Sequence, residues 1–392
     1  MTHQDDNTAI GQMLEAVITQ GMDGLETAIS ILLNEAMKVE RSRALGAEPW
    51  QRSEQRLGYA NGYKPKSLNT RIGKLSLQVP QVRGDVAFYP SALERGLRSE
   101  RALKLAVAEM YVQGVSTRKV TEVMETLCGL VVTSSEVSRC ASLLDEELEK
   151  WRTRPLGHCP YLVLDARYES VRVDGSVRSC AVLIAAGVRD DGKRSILGVS
   201  CSMSEAEVHW RDFLVGLKKR GLHGVEMITS DDHEGLKAAL RATFNGVAWN
   251  RCHFHLQRNA AAYVPKIDMR AKVAEDIRSI LTAPSREEAE RMLELTVDNY
   301  RGCASRLASW MQSALPEGFT IFMLPQRYQR RLRTTNMLER VNKAVKRRTR
   351  VATLFPNEAS LLRLATAMLM EISEDWETGK VYLKPEESGR TL

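Results

Sequence analysis

Asp165, Asp231 and Glu339 are the residues of this 392-residue chain whose surroundings most favour chemistry. Asp165 ends the run Tyr161-Leu162-Val163-Leu164, and Asp231 ends Met227-Ile228-Thr229-Ser230. Short apolar runs of this kind read as buried strands, which places each acid at a strand end. Glu339 follows Thr335-Asn336-Met337-Leu338 on a predicted helix, inside the most basic stretch of the chain. Between Gln326 and Arg350 ten Lys or Arg stand against that one acid. A lone carboxylate among cations fits a metal ion held beside a polyanion. Two-metal phosphoryl transfer needs carboxylates converging on two divalent ions roughly 3.5–4 Å apart. Oxygen ligands suit Mg²⁺, which keeps waters and takes few protein carboxylates, with Mn²⁺ expected to substitute. The pattern therefore points to a metal-dependent enzyme acting on nucleic acid.

Each acid also has a simpler reading. Asp165 could end a strand and start a turn, and Asp231 or Asp232 could cap the next helix. Asn336 and Glu339 have capping-box spacing, and Glu339 lies four residues before Lys343, a favourable surface pair. Singly, these roles suffice; together, in the strand order set out below, the triad is the better account. Lys343, Lys346 and Arg350 share the Glu339 face at helical spacing. With Arg340 and Arg347 they are the candidate phosphate contacts, although a solvated charged face would look similar. Cys252 and His255 would share a helix face as two zinc ligands might. A zinc site needs about four ligands, no second pair is in place, and a packed Cys/His pair fits better.

These residues must be positioned by an α/β domain. Strands are expected over Tyr161–Asp165, Val177–Val188 and Ile196–Met203, with Asp190-Asp191-Gly192 turning the second into the third. A helix Glu205–Arg220, a strand Val225–Ser230, a helix Gly235–Phe244 and a strand near Val247–Trp249 follow. Three consecutive strands before the first helix match an RNase H-like core, not a doubly wound sheet or barrel. Residues 156–250 form its first part. Residues 251–325 read as an all-helical insertion, and 326–375 return to the core with helices. Upstream, residues 1–55 read as helical and 56–97 as a small β-hairpin. Residues 98–155 read as helical and resemble a helix-turn-helix, with Ser116 capping its second helix and Arg118 and Lys119 available for phosphates. Residues 376–392 are expected to be a flexible tail.

The formal charge, 56 basic minus 49 acidic residues, is +7, which favours a polyanionic partner without requiring one. Hydrophobic content of 43% and charged content of 27% are those of a globular protein with real cores. The seven cysteines are scattered without a Cys-x-x-Cys pair, as expected of reduced thiols in the cytoplasm. No apolar run approaches the roughly 20 residues of a membrane span. A cytoplasmic protein, nucleoid-associated when on DNA, is the expectation.

Six ordered motifs give the chain a family resemblance. They are Gly58-Tyr59-Ala60-Asn61-Gly62-Tyr63, Tyr111-Val112-Gln113-Gly114-Val115-Ser116-Thr117-Arg118 and Asp165-Ala166-Arg167-Tyr168, followed by Ser230-Asp231-Asp232-His233-Glu234-Gly235-Leu236, Arg251-Cys252-His253-Phe254-His255 and Thr335-Asn336-Met337-Leu338-Glu339-Arg340. From about Arg56 to about Met370 the chain resembles the Mutator family of bacterial insertion-sequence transposases. The resemblance implies a DDE transposase whose RNase H-like domain is interrupted by a helical insertion. Asp165, Asp231 and Glu339 match the family's triad, Cys252 and His255 its Cys-x-x-His, and Lys346 a basic position near the DNA end. It further implies terminal inverted repeats and target DNA as double-stranded partners, at least a homodimer, and copy-out, paste-in transposition. Asp232 departs from the small residue common there, which leaves Asp231 and Asp232 competing for the metal. A structure-specific nuclease and a catalytically silent DNA-binding regulator are the competing functions.

Overall fold

The structure of the chain is a computed structural model describing residues 4–84, 86–95, 98–113, 115–349 and 354–384. It divides into two compact units, Met1–Leu144 and Asp145–Leu392. Arg350 and Gly114, both singled out from sequence, lie outside the described residues, as does the expected tail from residue 385 onward.

The first unit opens with helices α1 (Gln4–Gln20) and α2 (Leu25–Leu45), followed by an antiparallel ribbon of β1 (Tyr59–Thr70) and β2 (Gly73–Arg83). Alternation in β2 buries Leu75, Leu77 and Val79 against Met37 of α2. Helices α3 (Arg101–Val112), α4 (Thr117–Cys128) and α5 (Ser134–Ala141) complete the unit. Ser116 caps α4 by accepting from Lys119 N, 3.2 Å, and Thr133 forms a reciprocal capping box with Glu136 at the start of α5. Val107, Val120, Met124 and Val137 close the core between these three helices.

The second unit begins with α6 (Asp145–Thr153), whose Asp145 accepts two bonds from Arg363, 2.6 and 2.7 Å. Its sheet comprises β3 (Tyr161–Val173), β4 (Ser176–Val188), β5 (Arg194–Ser202), β6 (Met227–Ser230) and β7 (Ala248–Arg251), interleaved with α7 (Glu207–Lys219) and α8 (Glu234–Thr243). The order across the sheet is β5-β4-β3-β6-β7. The first three strands are antiparallel, while β6 runs parallel to β3 and β7 parallel to β6. The apolar run Cys180–Val188 in β4 is buried on both faces, as a strand flanked by helix layers must be.

Side-chain alternation along β3 assigns those layers. Leu162 and Leu164 face Trp210, Leu214 and Leu217 of α7, whereas Val163 and Val171 face a second helix layer. That second layer contains α14 (Asn336–Thr349) and α15 (Glu358–Thr378), and it arrives only after a helical segment. The segment consists of α9 (His253–Ala260), α10 (Arg270–Leu281), α11 (Arg286–Arg301), α12 (Ser305–Ala314) and a tight helical stretch, Leu315–Met323. It has its own core around Ile277, Leu293, Leu307 and Phe319. A short α13 (Gln326–Leu332) then leads into α14.

Two details differ from the sequence reading. β3 continues eight residues past Asp165, so Asp165 lies within a strand rather than ending one. The chain after α15 is docked as far as it is described: the Tyr382 and Leu383 amides both donate to the Gly192 carbonyl, and Leu383 is buried. No helix among the described residues is long and apolar enough to cross a membrane.

Candidate active site

β3 and β6 pair in parallel with Val163 opposite Thr229. Asp165 lies two residues further along β3, and Asp231 is the first residue past the end of β6. Asp165 has the parity of Val163, on the side of the sheet that α14 covers, and on that side of β6 the Thr229 hydroxyl donates to the Leu332 carbonyl, 2.8 Å. Glu339 sits in the first turn of α14, on that same side.

The electrostatics record this convergence. Asp165 has its carboxyl pushed up from 3.8 to about 7, first by burial and then by the nearby charges of Asp231, Glu339 and Glu205, against a bond from the Ala166 amide. Glu339 is likewise raised by burial, while Lys343 and Arg258 pull it down. Its Oε1 is buried with no hydrogen-bond partner among the described residues. That atom therefore makes no capping-box bond. A buried carboxylate oxygen without a donor and a neighbour driven toward neutrality are what a carboxylate cluster shows without a countercharge. The donor set, all oxygen, fits Mg²⁺ or Mn²⁺. Among the described residues no three His, Cys, Asp or Glu stand close enough to enclose one ion.

Asp231 and Asp232 separate cleanly. Asp232 accepts from Lys237, 2.8 Å, and pairs with Arg251 at 2.9 Å; both cations also bind Glu317, at 3.0 and 2.8 Å. It is thereby committed to a structural ion network. Asp231 has His255 Nδ1 at 3.5 Å and Arg258 at 3.8 Å, neither at hydrogen-bonding range for a strong pair. Its Oδ1 accepts from the Asp232 amide, 2.7 Å, and no cation pairs with it as closely as Lys237 and Arg251 pair with Asp232.

Cys252 and His255 do not share a ligand position. Cys252 is buried, with its Sγ accepting from the Thr335 amide, 3.3 Å, and lying 3.4 Å from the Thr335 hydroxyl. His255 turns instead to Asp231, and burial lowers its pKa. The motif thus joins the end of β7 to the start of α14 on one side and reaches the Asp231 carboxylate on the other.

Sequence reasoning did not find the roles of five further residues of the site. Asn342, one turn beyond Glu339, donates to Asp165 Oδ2, 2.8 Å. The Arg167 guanidinium bonds the Asn342 carbonyl, and Thr349 donates to Glu169, 3.0 Å. Asp165, Arg167 and Glu169 are alternate residues of β3, so one strand face grips α14 and sets its register. The fifth is Glu205, whose approach depends on Gly235: a Cβ there would fall 2.3 Å from the Glu205 carbonyl oxygen. The two-residue spacing of Asp165, Arg167 and Glu169 was the available signal. The partners on α14 were not visible without the fold.

Asn342→Ala is expected to lower any reaction using this site by roughly 10–100-fold, as loss of a residue that orients a ligand does. Asn342→Asp, which loses the donated bond, would not rescue it. An unchanged rate for the Ala variant would remove Asn342 from the positioning shell.

Asp165 also sets a pH dependence of stability in metal-free buffer. Because its folded pKa is raised, the folded state holds a proton between about pH 4 and 7 that the unfolded chain has released. This group's penalty is absent below that window, grows as pH rises and is complete above about pH 7. Asp165→Asn should therefore stabilise the metal-free protein at pH 8 and not at pH 4. The gain is on the order of 1–2 kcal/mol after solvent screening, or a few degrees in Tm. Equal melting of both proteins at pH 8 would contradict the burial of charge described here.

The basic candidates are presented differently. Arg340, Lys343, Lys346 and Arg347 are all exposed on α14. In the first unit Arg118 is exposed on α4, and Lys119 pairs with Glu122 at 2.9 Å on the surface.

This arrangement, a carboxylate set on a five-stranded mixed sheet beside a cationic helix, has relatives. The chain matches the family model described as transposase, Mutator family, over residues 1–379. It is 53% identical over 94% of its length to the transposase for insertion sequence element IS406 of Burkholderia multivorans, covering 95% of that protein. It is 41% identical over 98% of its length to the transposase of ISRM5 from Rhizobium meliloti, covering 96% of it. To the transposase of IS256 in transposon Tn4001 from Staphylococcus aureus it is 35% identical over 90% of its length, covering 91% of that protein. The chain belongs to the Mutator family of transposases.

Proposed function

We propose that this protein is a DDE transposase of a bacterial insertion sequence. It would bind the element's terminal inverted repeats and catalyse divalent-metal-dependent cleavage and strand transfer. The observation that carries the reading is the approach of three carboxylates: Asp165 within β3, Asp231 just past the end of the neighbouring parallel strand β6, and Glu339 in the first turn of α14, with Asp231 and Glu339 both near enough to raise the Asp165 carboxyl. The sheet order, with three antiparallel strands followed by two parallel ones, supports an RNase H-like core interrupted by the α9–α12 segment. Helices α3–α5 support a helix-turn-helix reading of the first unit.

Asp165, Asp231 and Glu339 would hold two divalent ions, Mg²⁺ or Mn²⁺. When bound, these supply Lewis-acid activation of the attacking oxygen and stabilisation of the leaving oxygen. The protein's own part is positioning and charge. Asn342 and the Arg167–Glu169 grip fix Asp165 against α14, and His255 and Arg258 flank Asp231. Lys343 and Lys346 hold DNA phosphates beside the carboxylates, with Arg340 and Arg347 along the same helix and Arg350 following it in sequence. Water would cleave the element end, and the freed 3′-hydroxyl would attack a second phosphodiester by in-line displacement. The family likeness extends this to a copy-out, paste-in route and to at least a dimer, since two ends must be held together.

The test is a joining assay with labelled element-end DNA and Mg²⁺, comparing wild type with Glu339→Gln. Joined product from the wild type alone supports the reading. Cleavage without joining favours a nuclease, and binding without either reaction favours a regulator. In the same system Lys343→Ala with Lys346→Ala should flatten the dependence of log affinity on log salt by roughly 2, about 0.9 per lost phosphate contact. An unchanged slope would show that these lysines do not touch phosphate.

A further inference from the structure

The ribbon of the first unit carries a surface that the catalytic reading does not use. From Gln55 to Gly84 the sequence holds six basic residues, Arg56, Lys64, Lys66, Arg71, Lys74 and Arg83, and no acid. β1 leaves residues 59–65 exposed, including Tyr59 at 65% and Tyr63 at 45%. The strand bulges between Ala60 and Tyr63, at Gly62 with φ of 73°. The irregularity separates the two tyrosines, and both rings are exposed. Buried Arg41 stacks under the Tyr63 ring, 5.2 Å from its centroid, and Arg56 lies over Tyr59 at 5.5 Å. Arg56 also donates to the Glu48 and Gln51 carbonyls, 3.1 and 2.6 Å, which fixes the adjacent loop. That loop presents Trp50 99% exposed, at a φ of 64° that a bulky residue rarely adopts. Together Arg41, Trp50, Arg52, Arg56, Tyr59 and Tyr63 frame an open hollow of about 810 Å³.

Trp50 and Tyr59 leave most of their aromatic surface in water, and Tyr63, though its hydroxyl accepts from Arg41 at 3.4 Å, is also exposed. We propose that this face of the first unit is a DNA-binding surface. Trp50, Tyr59 and Tyr63 would take the faces of bases or sugars, and Arg52 and Lys64 would take phosphates. Charge complementarity selects the occupant, because the hollow is lined by four cations, Lys38, Arg41, Arg52 and Arg56, against one acid, Glu48, a balance that suits a polyanion and disfavours a second copy of itself. The proposal rests on the transposase reading only for the identity of the DNA. The surface chemistry serves either an intact duplex or a frayed single strand.

The experiment is fluorescence anisotropy of full-length protein on three probes across a salt series. The probes are a duplex of the chain's own element end, a random duplex of equal length, and its single strand. Trp50→Ala and Tyr59→Ala should each weaken binding by roughly tenfold on the duplexes or on the single strand, and the arm affected identifies the source. Trp50→Phe and Tyr59→Phe should retain affinity. Arg52→Ala with Lys64→Ala should reduce the salt slope by roughly 2. Since Trp50 and Tyr59 are mostly exposed, thermal melts of the Ala variants should match wild type. Wild-type affinity in both Ala variants would overturn the proposal. So would a loss that tracks with dissociation of an oligomer measured by light scattering, which would make the face a contact between copies. A wild type that binds none of the probes would overturn both this surface and the transposase reading, whereas binding without joining would leave this surface standing.

Discussion

Asp231→Ala is expected to reduce strand transfer by at least about 10³-fold while leaving DNA binding and the melting temperature near wild type. Asp165→Ala and Glu339→Ala should behave alike in the joining assay. The magnitude follows from the several kcal/mol of transition-state charge stabilisation that a divalent ion supplies, at about 1.4 kcal/mol per factor of ten. The informative contrast is with the next residue. Asp232 is held by Lys237 and Arg251, so Asp232→Ala should act on folding, lowering Tm, with a smaller effect on the rate of the protein that remains folded. Rates corrected for folded fraction decide the matter. If Asp232→Ala is the inactive variant and Asp231→Ala the active one, the site has been built on the wrong carboxylate.

The second large effect concerns stability. Arg251→Met should destabilise the protein by roughly 2–4 kcal/mol, a drop on the order of 10 °C in Tm. Arg251 has only 6% of its side chain exposed and bridges Asp232 to Glu317, which belongs to the Leu315–Met323 stretch. Its removal leaves two acids sharing Lys237 alone in a partly buried place, and unpaired charge there costs more than the pair contributed. The acids are themselves 23% and 30% exposed, which keeps the figure below that of a fully buried pair. The double change Arg251→Met with Glu317→Gln should recover part of the loss. No recovery would mean that Arg251 acts through packing of its stem rather than through charge.

The local pattern of this chain was legible because local rules govern it. The apolar run of β4 and the turn at Asp190-Asp191-Gly192 follow from periodicity and turn chemistry. So does the change to helical spacing after Arg251. The acids were noticed for the same reason, as charged residues where an apolar run or a cationic stretch gives no other cause for them. What the residues alone left open was how acids 66 and 108 positions apart share one place. The parallel register of β3 on β6 answers the first interval, and the grip of Asp165, Arg167 and Glu169 on α14 answers the second.

The choice between Asp231 and Asp232 shows the same division. Adjacent aspartates look identical in sequence. They differ because Lys237 and Arg251, brought beside Asp232 by folding and shared with Glu317, pair with that carboxylate, whereas no cation lies comparably close to Asp231. Glu205 and Asn342 were missed because nothing within a few residues of either marks it; their meaning lies in a partner across the fold. Sequence by itself determined which segments are strands and helices and which side chains carry chemistry, since those depend on nearest neighbours and on composition. Only the tertiary structure decided which of those side chains meet, which are neutralised and which stay free, because burial and Coulomb interaction depend on distance in space.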